Sequence, residues 1–90
     1  MTIDNEQFKK VYTTLDFYQG GFLVLRDHEP EIIEQGPKYV LSFKASQKLY
    51  SDLADYNSGA TVEALRFAVT IKSLKSRIHS MRRNNDAYTK

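Results

Sequence analysis

The chain has no cysteine and no tryptophan, two prolines, four glycines, and no apolar run longer than the four residues Phe22 to Leu25. Without cysteine there is no disulfide framework, thiolate metal site or cysteine nucleophile. Without a long apolar run there is no membrane-spanning helix. The polar, acidic first residues lack the basic start and apolar stretch of a signal peptide, so the expected location is cytoplasmic. No glycine-rich phosphate loop, nucleophile elbow or zinc-binding histidine pair occurs. Gly20-Gly21 precedes an apolar run of strand type, the wrong context for a phosphate cradle. A non-enzymatic protein with no cofactor and no metal site is expected. His28 lies among Asp27, Glu29, Glu31 and Glu34, which reads as a hydrophilic turn because no ligand spacing matches a metal site.

What is present is enough for a fold. Of 90 residues, 41% are hydrophobic and 12% aromatic, too many for a disordered chain and suited to one domain or half of an intertwined dimer. The net charge of +2 conceals an asymmetry. Residues 1–36 carry three lysines and arginines against seven acids, a net of −4, whereas residues 37–90 carry ten against four, a net of +6. Between Ala64 and Asn85 there are six basic residues and no acid. Such separation speaks to partners more than to fold.

The pattern predicts an α+β domain: an N-terminal helix, a two- or three-stranded antiparallel sheet, a short helix, and a long basic C-terminal helix. Asp4 and Gln7 form a capping box, Ile3 and Phe8 a hydrophobic staple, and Phe8, Val11, Tyr12, Leu15 and Tyr18 an apolar stripe ended by Gly20-Gly21. Phe22 to Arg26 reads as a strand and Asp27 to Pro30 as a turn. Glu31 to Gln35 reads as an edge strand or a loop. Lys38 to Lys44 alternates, with Tyr39, Leu41 and Phe43 on one face. Ser46 caps the short helix, with Leu49, Tyr50, Leu53 and Tyr56 inward; Asn57-Ser58-Gly59 breaks it, and Thr61 caps the last helix, which runs from about Thr61 to Arg83. Tyr12, Tyr39, Tyr50 and Phe43 fall on apolar stripes and are expected in the core, and Tyr88 in a polar tail.

The last helix carries two stripes. Ala64, Phe67, Ile71, Leu74, Ile78 and Met81 alternate at spacings of three and four, a heptad seam. Ile71, Leu74, Ile78 and Met81 would meet the same helix of a second chain, making a homodimer, or else pack on the first helix of their own chain. Lys72, Lys75, His79 and Arg82 form a line about 100° round the helix, with Arg83 alongside and Arg66 and Arg77 elsewhere. Aligned cations attract a polyanion, DNA before RNA, or else form a solvated basic face.

Val40 to Leu53, followed by Gly59 and by Glu63 to Val69, resembles a ribbon-helix-helix DNA-binding module. The resemblance implies a dimer whose strands pair across the two-fold axis and enter the major groove. Val40, Ser42 and Lys44 would then face bases, Leu41 and Phe43 the core, and Thr61 a phosphate. The function expected overall is a small dimeric nucleic-acid-binding regulator. The alternative is a protein-binding adaptor or inhibitor docked on a larger enzyme or polymerase.

Overall fold

Val11, Tyr12, Thr13 and Thr14 are four successive residues of strong strand preference, and they form β1 (Val11–Thr14). The computed structural model describes residues 10–89, and their side chains as far as residue 83. Ile3, Asp4, Gln7 and Phe8, the expected cap and staple, lie outside the described residues. Within them, the expected order is overturned: a strand comes first, and a helix follows. The Thr14 hydroxyl accepts from the Asp16 amide at 3.0 Å. Asp16 in turn accepts from the amides of Tyr18 (2.9 Å) and Gln19 (3.2 Å), capping α1 (Phe17–Leu25).

Gly20 and Gly21 do not end a helix; they sit in the middle of α1. A Cβ on Gly20 would collide with Leu41 of the sheet. A Cβ on Gly21 would stand 3.0 Å from Ile71 Cγ1 and 3.4 Å from Phe67 Cε1, both on the last helix. Each glycine costs α1 about 1 kcal/mol of intrinsic helix stability relative to alanine. Close approach to the sheet on one side and to a helix on the other offsets that cost. The expected strand Phe22 to Arg26 is therefore the second half of α1 and its C-cap residue, with Phe22 and Leu23 almost fully buried. A four-residue apolar run has no periodicity that separates a buried strand from a buried helix.

α1 ends with Asp27 in the left-handed region (φ 71°), the His28 amide donating to the Leu23 carbonyl and the Asp27 amide to the Val24 carbonyl, both at 3.0 Å. β2 (Glu31–Gln35) and β3 (Lys38–Lys44) follow as expected, joined at Gly36-Pro37. The positive φ of Gly36 (59°) ahead of proline suits a two-residue hairpin turn. β3 is central: the sheet order is β1-β3-β2, both pairs antiparallel, with Tyr12 opposite Phe43 and Ile32 opposite Leu41.

Ser46 caps α2 (Gln47–Asn57) as expected, accepting from the Leu49 amide at 3.0 Å. Leu49 and Leu53 point inward, whereas Tyr50 is 52% exposed, against the expectation of a core residue. α2 ends like α1, with Gly59 left-handed (φ 89°) and the Ala60 amide donating to the Asp55 carbonyl. The two helix ends share one geometry and differ in residue, which makes a paired prediction. Gly59→Asp should cost about 1 kcal/mol, because a Cβ is penalised in that conformation. Asp27→Gly should be neutral or stabilising by about 0.5 kcal/mol. Denaturant midpoints of the two variants check this; equal shifts of one sign would contradict it.

α3 spans Ala64–Thr89, longer than expected. The Phe67 amide donates to the Glu63 carbonyl, so Glu63 rather than Thr61 holds the capping position. All three helices reach one buried cluster. Leu41 and Phe43 of the sheet meet Leu23 of α1, Leu49 and Leu53 of α2, and Leu74 of α3.

Candidate nucleic-acid interface

The heptad seam of α3 is used inside the chain. Leu74 is 2% exposed and Ile78 6%, while Phe67, Ile71 and Met81 are half-buried. Gly21 lets α1 approach Ile71 and Phe67 closely. Of the two expected uses of the seam, packing on a helix of the same chain is the one seen, though that helix is α1 and not an N-terminal one. Leu74 and Ile78, two of the four residues expected at a dimer interface, therefore offer no surface to a second copy, whereas Ile71 and Met81 are half-buried.

The cationic line survives folding as a surface. Lys72, Lys75, His79, Arg82 and Arg83 are all exposed. From Lys72 to Arg82 it extends about 15 Å along the helix. Aromatic rings from other elements lie against it. Lys75 Nζ stands 5.7 Å from the ring centroid of Phe17 at the start of α1. Arg82 Cζ stands 5.4 Å from that of Tyr39 on β3. Both distances fit cation–π contacts. A depression of about 260 Å³ lies among Phe17, Lys75, Ile78, His79 and Arg82. A second, of about 410 Å³, lies between Tyr18 and α3, beside Phe67, Ala64 and Ala68, with Lys72 and Lys75 at its cationic end. The two share Lys75. Arg66 and Arg77 are exposed but fall on a different line of α3, about 120° or more from Lys72, Lys75 and Arg82 by helical geometry.

The strand half of the expected interface is not available. Ser42 is 6% exposed, paired between Thr13 of β1 and Glu31 of β2. Val40 is equally buried, and only Lys44, at the strand end, is exposed. Both edges of β3 are taken by strands of the same chain. It therefore has no edge for pairing across a dimer, and its side chains do not project into a groove as the ribbon-helix-helix resemblance implied.

A second polar constellation lies at the other end of α1. Asp52 of α2 is 6% exposed. Its Oδ1 accepts from Arg26 at 2.8 Å, and its Oδ2 from Lys48 at 2.9 Å and lies 2.7 Å from His28 Nε2. Arg26 also donates to Asp55 at 3.1 Å, and Lys48 to the Arg26 carbonyl at 2.8 Å. Burial alone pushes the Asp52 carboxyl up. The hydrogen bonds from Lys48 and His28, the Lys48 charge and the Arg26 hydrogen bond outweigh it and hold the group down at about 2, from an ordinary 3.8. His28 thus pairs across to α2 rather than with the acids beside it in sequence. No group of three potential metal-binding side chains occurs among the described residues. The cluster ties the end of α1 to α2. Its only sequence signal is an acid on the apolar side of α2, between Leu49 and Leu53.

The fold and surface define a small α+β protein with a three-stranded sheet and a cationic, aromatic-lined helix face. No family model, curated protein or solved structure matches the chain. No helix among the described residues is long and apolar enough to cross a membrane.

Proposed function

We propose that the chain is a nucleic-acid-binding regulatory protein, acting on DNA before RNA, and that the exposed face of α3 is its contact surface. The observation that carries this is the alignment of Lys72, Lys75, His79 and Arg82 on one exposed line, flanked by the rings of Phe17 and Tyr39. Lysine and arginine neutralise phosphates and release counterions, and rings beside them offer stacking surface. Because Leu74 and Ile78 belong to the chain's own core, this reading requires no second copy.

Three or four phosphate contacts imply that affinity falls with salt at a log–log slope of about −3 for duplex DNA. Between 50 and 200 mM salt, binding measured by fluorescence anisotropy should weaken roughly 40- to 150-fold. A salt-independent affinity, or none for any DNA or RNA at the lower salt, would count against the reading.

One observation favours the alternative, a protein-binding adaptor or inhibitor. Leu65 and Val69, on the first turns of α3, are 71% and 58% exposed. An apolar patch of this kind suits a protein partner. A salt-resistant complex with one protein, formed without nucleic acid and lost on Leu65→Ser with Val69→Ser, would support it.

A further inference from the structure

The exposed face of α3 changes character along its length. Its first two turns present Ala64, Leu65 and Ala68; its later turns present Lys72, Lys75, His79 and Arg82. A duplex backbone lying along the helix would gain no phosphate contact from that apolar start. At that start lies the depression of about 410 Å³ between Tyr18 and α3. It exists because Ala64 and Ala68, one turn apart, carry only methyl groups. Tyr18 beside it is 60% exposed, and its ring is held 6.2 Å from that of Phe67 at a 35° tilt.

We infer that this depression seats an unpaired base of a single strand, stacked on Tyr18, while the adjoining phosphates lie on Lys72 and Lys75 and the strand continues along His79 and Arg82. The inference rests on the nucleic-acid reading and names its substrate: a flat apolar ring joined to an anion matches an apolar hollow with cations at one end. Paired bases are stacked within the duplex and offer no free face, so this seat discriminates single from double strands. Stacking is tolerant of sequence, because every base has a π-face.

The test uses the full chain and three probes: an oligothymidine of about 15 nucleotides, within the usual range of single-strand site sizes, an abasic strand of the same length and charge, and a duplex of the same length. Wild type should bind oligothymidine about 10-fold more tightly than the abasic strand, as expected for one stacked base. Tyr18→Ala should abolish that preference without changing the salt slope, since tyrosine carries no charge, and Tyr18→Phe should restore it. Ala68→Leu, an exposed position where leucine is a good helix former, should also abolish it by filling the hollow. Equal affinity for oligothymidine and the abasic strand, or tighter binding to the duplex, would overturn the base seat while leaving phosphate binding in place. Failure to bind any of the three would overturn both readings. Tight binding of thymidine monophosphate that oligothymidine does not displace would overturn the strand in favour of a free nucleotide.

Discussion

Reversing Lys72, Lys75 and Arg82 together to glutamate should reduce affinity for nucleic acid at least 100-fold at low salt and leave the domain folded. The three side chains are exposed, and none is hydrogen-bonded or ion-paired to an acid within the described structure. Two of them face rings, Lys75 toward Phe17 and Arg82 toward Tyr39, and losing such contacts at exposed sites costs about 0.5–1 kcal/mol each. The binding loss is larger because the change is from attraction to repulsion. Each phosphate contact contributes close to one unit of salt slope, and three acids placed on the same line repel the backbone they replaced. A helical circular dichroism spectrum and a cooperative thermal transition lowered by no more than about 4–16 °C, the shift that 1–2 kcal/mol causes in a domain of this size, would verify the fold. Retention of wild-type affinity by the folded variant would remove the α3 face as the contact surface.

Replacing Asp52 with alanine is expected to destabilise the chain by about 3 kcal/mol, the low end for breaking a buried ion pair. The low end applies because Lys48 is 63% exposed and Arg26 36%, so both can rehydrate. The His28 side chain, 11% exposed, cannot do so as readily. The pH dependence follows from the depressed carboxyl. Its folded value of about 2 lies below the ordinary 3.8, so the unfolded chain binds more protons between them. The stabilisation is therefore present above pH 4 or so and is lost as pH falls through about 2. Asp52→Asn should be less stable than wild type at neutral pH, and the gap should close on acidification. A gap that widened toward low pH would show the carboxylate to be destabilising in the fold.

The second half of the chain was legible from its sequence because its signals are local. β3 carries Tyr39, Leu41 and Phe43 at alternate positions, Ser46 caps α2, Gly59 terminates it, and the two stripes of α3 arise from the periodicity of one helix. In the first half, local signals point the wrong way. Gly20-Gly21 looks like a helix stop, and only the neighbours Leu41 and Ile71 explain why glycine is needed inside α1. Val11 and Tyr12 fit a helical spacing, but pairing with Lys44 and Phe43 makes them a strand. The same distinction divides the candidate site. The cations share one helix and could be aligned by counting, whereas the rings beside them come from α1 and β3 and are brought there by packing. The Asp52 cluster joins residues 24 and 26 positions apart, beyond any local pattern.

The central claim is that one face of α3, and not basic charge in general, contacts nucleic acid. Arg66 and Arg77 provide the control, being exposed on the same helix but on another line. The decisive measurement is the salt dependence of single-strand binding by Arg66→Glu with Arg77→Glu, set beside Lys72→Glu with Lys75→Glu. Both variants carry the same net charge. The account predicts a slope near that of wild type for the first and a slope lower by about 1.4 for the second, at about 0.7 per lost phosphate contact on single strands. Equal losses from the two variants would contradict it.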